Sequence, residues 1–216
     1  MANLTKLYDE AFLTGCDANH EWMLEWFFKN YQKHVKSPIV FANFGLSEDG
    51  LKTVRKYAHA VMDLTKTSEQ GWFKKPLSML KCPAKKTVWI DLDCEIREDI
   101  SDLFQKLVVN KLSMVEDKPW TKRRQELWHN SGIVGFIDKP VILYKWVEAV
   151  KDNPQVGDQE VLHSILNPIT KIGNINDLPN EYNVMRLQTE LDNYNGPIKV
   201  MHWTGPKGKE KIKRML

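Results

Sequence analysis

Runs of apolar residues alternate along the chain with stretches in which apolar residues recur every three or four positions. The first pattern predicts buried strands, and the second predicts amphipathic helices. In the first half of the chain the predicted strands are residues 11–15, 38–44 and 85–90, and the predicted helices are 19–34, 51–61 and 73–81. Ser47 is the predicted N-cap of the second helix.

The same alternation continues in the second half of the chain. The predicted strands there are residues 111–116, 132–136 and 198–203, and the predicted helices are 140–151, 159–166 and 207–216. Strands separated by helices predict a parallel sheet with right-handed crossovers. Since no repeat, low-complexity linker or clear boundary interrupts the pattern, we expect residues 1–216 to form one α/β domain. Its mostly parallel mixed sheet should be flanked by helices.

Two carboxylates end the apolar run of residues 85–90. Asp91 and Asp93 are one residue apart, so in an extended segment they project from the same side and repel each other unless a cation or a proton intervenes. The carboxyl ends of strands form the edge of an open α/β sheet where ligands usually bind. An all-oxygen pair suits Mg²⁺ or Mn²⁺, which commonly carry substrate phosphates. The alternative is a solvated turn without a ligand.

Composition narrows the class of protein. The chain has 216 residues, 42% of them hydrophobic, which is enough to bury the core of one domain. Cys16, Cys82 and Cys94 are an odd number without close pairing or zinc-ligand spacing, and this pattern fits a reducing compartment. No apolar stretch approaches the roughly 18 residues of a membrane span, and residues 1–10 lack a signal-peptide pattern. We therefore expect a cytoplasmic protein without a transmembrane segment.

Five short motifs occur in the order seen in one family of enzymes. They are FLTGCDAN at 12–19, WIDLD at 89–93, NSGIVGF at 130–136, GDQE at 157–160 and HWTGP at 202–206. Over most of its length the chain resembles the GT-A glycosyltransferases related to glycogenin and to the bacterial lipooligosaccharide galactosyltransferases. It is especially similar to small stand-alone members encoded by bacteriophages and some bacteria. The resemblance implies a Rossmann-like GT-A domain with a nucleotide-binding half, residues 1–95, and an acceptor half, residues 96–216.

The resemblance implies a UDP-sugar as donor and a divalent ion, Mn²⁺ or Mg²⁺, that bridges its diphosphate. The implied metal ligands are Asp91, Asp93 and His202. For His202 the alternative is a hydrogen-bonded histidine at the end of a strand. The implied nucleotide contacts at the end of the first strand are Thr14, Gly15, Asp17 and Asn19. Asp17 or Asn19 can also act there as the N-cap of the following helix.

The donor sugar is assigned by the same resemblance to Asn130, Ser131, Asp158 and Gln159. Helix capping is the alternative for Asp158. Gln159 has no carboxylate with which to form a stable covalent adduct, and nothing in the sequence places Asp158 for in-line attack. We therefore favour transfer on the same face of the sugar, with Asp158 and Gln159 as catalytic residues and with retention of the anomeric configuration.

Basic residues are expected near the donor phosphates. The family has one on the helix before the carboxylates, where this chain offers Lys74 and Lys75, and Lys75 is our choice. It also has a lysine six residues after the metal histidine, but position 208 is glycine here. Lys207, together with the backbone around Gly205, is the predicted replacement.

The acceptor is left open by the motifs. Basic residues cluster at 118–124 and 207–214, and Trp120 and Trp128 lie beside the first cluster, a mixture typical of contact with a polyanion. The similarity to phage members favours a hydroxymethylated base in DNA, bound by Lys122, Arg123, Arg124 and the C-terminal basic helix. The alternatives are a lipid-linked or polysaccharide glycan reached from an anionic membrane, or two solvated charged faces.

Two other classes of protein compete with this interpretation. A phosphatase of the haloacid dehalogenase type also ends a strand in Asp-x-Asp, but it needs Thr or Val where this chain has Glu95, and its motif normally lies near the N-terminus. A non-catalytic polyanion-binding protein would use only the basic clusters. The net charge of +3 is by itself too small to predict that role.

Overall fold

The computed structural model describes residues 7–152 and 157–216, and ten strands lie within these ranges. Continuous apolar segments form the central strands, as is usual for strands that are covered on both faces. The strands are β1 Tyr8–Asp17, β2 Ile39–Gly45, β3 Ala60–Asp63, β4 Ala84–Ile90, β5 Cys94–Ile96, β6 Leu112–Glu116, β7 His129–Ile137, β8 Ile175–Leu178, β9 Val184–Met185 and β10 Val200–His202.

Helices connect most of these strands and cover the sheet. They are α1 Leu24–His34, α2 Glu48–Tyr57, α3 Lys74–Lys81, α4 Lys118–Arg124, α5 Val141–Asp152, α6 Asp158–Ser164, α7 Pro168–Asn174, α8 Arg186–Leu191 and α9 Gly205–Lys213. Single 3-10 turns precede α1 at Glu21–Met23 and α3 at Gly71–Phe73. No helix in the two described ranges is long and apolar enough to cross a membrane. Residues 1–6, which belong to the N-terminal segment that lacks a signal-peptide pattern, lie outside the described residues.

Seven strands form the main sheet in the order β3-β2-β1-β4-β7-β6-β8. The four strands from β3 to β4 are parallel to one another, and β6 is parallel to β8. Only β7 runs antiparallel to both of its neighbours. The predicted α/β fold with a mostly parallel mixed sheet is confirmed. Because β1 and β4 are adjacent and parallel, Asp17 and Asp91 come to the same edge.

A second, three-stranded sheet has the order β5-β10-β9. In it β10 is antiparallel to β5, with His202 opposite Cys94, and parallel to β9, with His202 opposite Met185. Since β5 begins directly after Asp93, this pairing brings the chain near its C-terminus to the carboxylates that follow β4. The residues are more than 100 positions apart in sequence, and only the sheet joins them.

The apolar core has two layers, one on each face of the main sheet. Alternation along β1 sends Phe12 into one layer, with Phe27 and Phe104, and Leu13 into the other, with Trp89. Helix α1 belongs to the first layer, and α3 and α5 to the second. The sheet edge that carries the carboxylates is therefore held rigidly from both sides.

The structure corrects one predicted helix. Ser47 is the N-cap as predicted and accepts a hydrogen bond from the Gly50 backbone N–H at 3.1 Å. The helix ends at Tyr57, however, and residues 58–61 do not continue it. Val61 instead lies in β3, which adds an edge strand to β2. Pairing between distant strands overrides a helical pattern of this length.

Other boundaries also differ from the predictions. Helix α1 begins at Leu24, five residues after the predicted start, because the intervening segment forms a turn and a 3-10 helix. The last helix begins at Gly205 and ends at Lys213, instead of covering residues 207–216. The basic cluster of residues 118–124 forms α4, and the elements α7, β8, β9 and α8 are also absent from the predictions.

Candidate functional site

The two carboxylates after β4 are each anchored through one oxygen. Asp91 Oδ1 accepts hydrogen bonds from Trp89 Nε1 at 2.6 Å and from Lys75 Nζ at 3.0 Å. Asp93 Oδ2 accepts one from Lys209 Nζ at 3.2 Å. The second oxygen of each carboxylate is left to face the imidazole of His202.

His202 lies across from both acids. Its Nε2 is 3.2 Å from Asp93 Oδ1 and 3.9 Å from Asp91 Oδ2. Its Nδ1 lies 3.0 Å from Asn183 Oδ1, which can only accept, so Nδ1 carries a hydrogen and donates it. This contact fixes the orientation of the ring and directs Nε2 toward the carboxylates.

Burial and the neighbouring charges shift the pKa values of Asp91, Asp93 and His202. Burial raises the pKa of Asp91 above its ordinary range, with Asp93 adding to the effect and Lys75 opposing it. Burial acts in the same direction on Asp93, but His202 and Lys209 hold its pKa well below the ordinary range. Burial alone would lower the pKa of His202, whereas Asp93 and Asp91 raise it. The pKa values of the two carboxylates therefore depend on the charges of Lys75, Lys209 and His202.

The donor set fits a hard divalent ion. Asp91 Oδ2 lies 3.9 Å and Asp93 Oδ1 lies 3.2 Å from His202 Nε2. For comparison, adjacent ligand atoms around an ion with metal–ligand bonds of about 2.1 Å are about 3 Å apart. Among the described residues, Cys94 also has its donor atom within 4.8 Å of those of Asp93 and His202. Burial raises the pKa of the Cys94 thiol well above its ordinary value, and the side chain packs in the core. Asp91, the third ligand expected from the motifs, lies outside that group, with its Oδ2 3.9 Å from His202 Nε2.

Lys75 links the acids after β4 to α6. Its ammonium group is buried and lies 3.0 Å from Asp91 Oδ1, 3.3 Å from Asp158 Oδ2 and 3.1 Å from Ser131 Oγ. Burial alone would lower the pKa of Lys75, but Asp158 and Asp91 raise it above the ordinary value. Lys74, the other predicted candidate, donates to the backbone carbonyls of Phe44 and Leu64. Of the two lysines, only Lys75 contacts these carboxylates.

Buried amides continue the site on the other side of Asp91. The Nδ2 group of Asn130 donates to Asp117 Oδ2 and to Gln159 Oε1, and Gln159 Nε2 donates to the same Asp117 oxygen. The Ser131 backbone N–H donates to Gln159 Oε1 at 3.2 Å. Asn130, Ser131 and Gln159 are therefore brought together, and Asp117 holds Asn130 and Gln159 in place.

Asp117 and Asn183 were not found from the sequence. Asp117 is the N-cap of α4, and its Oδ1 accepts from the Trp120 backbone N–H. Asn183 is fully buried and donates through Nδ2 to Asn130 Oδ1 at 2.8 Å while its own Oδ1 faces His202. Asn183 thereby connects the buried side chains of Asn130 and Gln159 to the candidate metal ligands. An Asp before Lys-Pro is a cap signal that points to Asp117, but no local pattern marks Asn183.

Asp158 lies in the first turn of α6, whose N-cap is Gly157, and its carboxylate pairs with Lys75. It does not cap the helix, so the alternative considered from the sequence does not hold. Asp91 and Asp158 line both a cleft of about 240 Å³ toward β1 and a second one of about 250 Å³ toward α4. The carboxylates therefore lie where the two clefts meet.

The residues predicted at the end of β1 are only partly in the first cleft. Gly15 and Asp17 line it, whereas Thr14 is buried within β1 and Asn19 is exposed. Asn19 donates its backbone N–H to Asp17 Oδ1 at 3.1 Å, and His20 Nδ1 lies 3.0 Å from the same oxygen. Asn19 thus positions Asp17.

The C-terminal lysine that approaches the carboxylates is not the predicted one, Lys207. Gly208 packs against the Trp203 carbonyl, where a side chain would clash, and the next residue, Lys209, reaches Asp93. Lys207 and Gly205 are exposed, and neither of them lines the first cleft. Lys209 is therefore the C-terminal lysine that faces the candidate metal ligands.

The other basic cluster lies on α4 and interacts largely within itself. Arg123 and Arg124 place their guanidinium groups 5.4 and 4.8 Å from the centre of the Trp120 ring. Lys122 is 3.6 Å from Asp192. Trp120 lines the second cleft, so the cluster lies at the rim of that cleft.

We expect Gly132→Ala to weaken binding of Mn²⁺ by about 10-fold or more, because the added methyl group would overlap the His202 ring and turn Nε2 away from the carboxylates. Titration calorimetry with Mn²⁺ measures the effect. Gly173→Ala is the matched control, since a methyl group there meets nothing within 4 Å. Equal Mn²⁺ affinity in the two variants would show that His202 does not contribute a ligand.

No protein-family model matches the sequence, and no curated protein matches it. Solved structures do match. The galactosyltransferase LgtC, in complex with donor and acceptor sugar analogues, has a TM-score of 0.66 and 14% identity over 95% of this chain and 94% of its own. The apo glycosyltransferase GlyE of Streptococcus pneumoniae TIGR4 has a TM-score of 0.69 and 16% identity, covering 91% of this chain and 55% of GlyE.

Mouse xyloside xylosyltransferase 1, also without ligand, has a TM-score of 0.57 and 14% identity over 91% of this chain and 97% of its own. At 14–16% identity these matches establish the fold of the chain and nothing beyond the fold. The protein has the GT-A glycosyltransferase fold.

Proposed function

We propose that the protein is a metal-dependent glycosyltransferase that moves a sugar from a UDP-sugar to a hydroxyl group, with retention of the anomeric configuration. The observation that carries the proposal is the convergence of Asp91, Asp93 and His202 at the carboxyl edge of a GT-A sheet. In an open α/β sheet this edge is where ligands bind. A phosphorylated donor and a divalent ion account together for the acids and for the lysines beside them.

Asp91, Asp93 and His202 would hold Mn²⁺ or Mg²⁺. When bound, such an ion neutralises negative charge on a departing diphosphate. Lys209, 3.2 Å from Asp93, adds positive charge at the same end of the cleft. Gly15 and Asp17 line the cleft toward β1, where we place the nucleoside. Thr14 and Asn19 would then support this part of the site from behind.

The donor sugar is placed in the second cleft, against Asn130, Ser131, Asp158 and Gln159. Lys75 Nζ lies 3.3 Å from Asp158 Oδ2 and orients this carboxylate in the cleft. An ionised carboxylate beside the anomeric carbon stabilises the positive charge that develops there. The Gln159 amide is hydrogen-bonded through both Oε1 and Nε2, so we assign it to positioning. The leaving phosphate takes the proton of the acceptor hydroxyl on the same face.

The division into a nucleotide-binding half, residues 1–95, and an acceptor half, residues 96–216, is part of the proposal. The residues that line the first cleft come mainly from the first half, and those of the second cleft come mainly from the second half. Cys16, Cys82 and Cys94 are free and buried, which supports the proposed cytoplasmic location.

The stereochemistry of the product tests the mechanism. We expect the new linkage to keep the anomeric configuration of the donor, as read from proton coupling constants by NMR. Asp158→Asn should lower kcat more than donor affinity, because the charge of the carboxylate matters most in the transition state. An inverted linkage would contradict same-face transfer and would indicate a carboxylate that acts as a general base.

For the acceptor we retain a hydroxymethylated base in DNA, as in small phage-type enzymes, and a lipid-linked or polysaccharide glycan as the second candidate. The guanidinium groups of Arg123 and Arg124 next to Trp120, which lines the second cleft, favour the first, and Lys122 and the basic α9 would add further positive charge. Binding of such DNA should then weaken steeply with salt, and neutralising Arg123 and Arg124 should reduce the slope. Transfer to a glycan without salt dependence would favour the second candidate.

A further inference from the structure

A large aromatic side chain stands exposed at the first cleft. The indole of Trp72 is 56% exposed, whereas the next side chain, Phe73, is 8% exposed and belongs to the core. Trp72 lines the cleft together with Asp17 and Lys75. An exposed tryptophan on the wall of a polar cleft leaves apolar area in water, which a ligand with a flat apolar face would cover.

Local backbone structure places Trp72 on the wall of this cleft and of a neighbouring cavity of about 610 Å³. Gly71–Phe73 form a 3-10 turn that continues into α3 at Lys74, so Trp72 and Lys75 are three residues apart on one helical segment. Side chains at this spacing lie on the same side. Lys75 faces the carboxylates, while Phe73 and Lys74 point into the protein. The turn thus presents an aromatic ring and a cation to one cleft.

The ring belongs to the β1 end of the cleft. Gly71, which has a left-handed φ of 52°, lies beside Asp17, since a methyl group on Gly71 would be 4.0 Å from Asp17 Oδ2. Asp158 and Gln159, assigned to the sugar, lie on α6 at the other side of Asp91. The apolar side chain of Met23 lines the same cleft as Trp72. A ligand that extends from the carboxylates toward Asp17 therefore ends next to the indole.

We propose that Trp72 stacks on the base of the donor nucleotide and so contributes to donor recognition. This inference rests on the proposed function, which places the diphosphate at the carboxylates. Every base has a flat π-face, and stacking of a base on an aromatic side chain is sequence-tolerant but strong. Asp17, which His20 and Asn19 hold in place, lines the same cleft as the ring and is the polar contact for the ribose or the base edge.

The test measures binding of UDP in the presence of Mn²⁺ by titration calorimetry. We expect Trp72→Ala to raise the Kd for UDP by about 10-fold, within the range of about 5- to 150-fold that corresponds to the loss of one stacked base. Trp72→Phe should restore most of the affinity. Inorganic pyrophosphate lacks the base, and its affinity should be the same in the wild type and in Trp72→Ala. Tyr144→Ala removes a half-exposed ring on α5 and is the matched control.

Three results would overturn the inference. The first is equal UDP affinity in the wild type and Trp72→Ala. The second is an equal loss of UDP and pyrophosphate affinity, which would mean that the ring only supports α3 and Lys75. The third is unchanged UDP binding with a raised KM for the acceptor, which would place the ring against the acceptor. A wild-type protein that binds no UDP would instead contradict the proposed function.

Discussion

We expect Asp93→Asn to lower the rate of sugar transfer, or of donor hydrolysis without acceptor, by about two to four powers of ten, or about 3 to 5 kcal/mol in barrier. The substitution keeps the shape of a side chain that is 9% exposed but removes the charge that faces His202 and Lys209. Two of the three proposed ligands would remain. Initial rates with a panel of UDP-sugars and Mn²⁺ measure the effect.

Two controls accompany this variant. Asp49→Asn removes a carboxylate on the surface of α2 that pairs with Lys52, and we expect it to leave the rate unchanged. Excess EDTA should abolish activity of the wild type, and added Mn²⁺ or Mg²⁺ should restore it. Full activity in EDTA, or a near-normal rate of Asp93→Asn, would exclude the proposed role of the metal.

We expect Lys75→Met to lower the rate of sugar transfer about as much as Asp93→Asn, but for a different reason. The substitution removes a buried cation that lies between Asp91 and Asp158 and leaves two carboxylates without their partner. Removing one member of a buried ion pair costs about 3 to 5 kcal/mol. We expect kcat to fall by at least about two powers of ten, together with a lower Tm.

Lys74→Met is the matched control, because Lys74 is equally buried and precedes Lys75 but donates to backbone carbonyls. It should lower Tm and leave kcat of the folded protein nearly unchanged. Combining Lys75→Met with Asp158→Asn tests the ion pair directly, since contacting residues give non-additive effects. Equal loss of kcat in both lysine variants, or strictly additive effects in the double variant, would contradict the role of Lys75.

Features encoded in short segments were predictable from the sequence. The apolar run before Asp91 forms the end of β4, where residues 87–90 are buried because both faces of the strand are covered. Ser47 caps α2 through a contact three residues away. The carboxylate pair, the end of β1 and the start of α6 followed from the same local patterns, and the order of the motifs indicated the GT-A fold.

Short edge strands could not be predicted in this way. Residues 60–63 form β3 because β2 offers an unpaired edge, and β8 similarly adds to β6. Neither segment is long enough to show a period of its own. The antiparallel direction of β7 is also a property of the assembled sheet, because an apolar strand has the same pattern in either direction.

The sequence by itself determined which residue types stand at the ends of β1 and β4 and at the start of α6, and hence that acids and amides meet at one edge. Only the tertiary structure decided which lysine of each pair faces them. Lys75 contacts the carboxylates because packing of Phe73 fixes the rotation of α3 about its axis. Lys209 contacts them because packing of Gly208 does the same for α9. Asn183 contacts His202 because β9 and β10 pair. Such contacts depend on the position of whole elements, and local sequence does not encode that position.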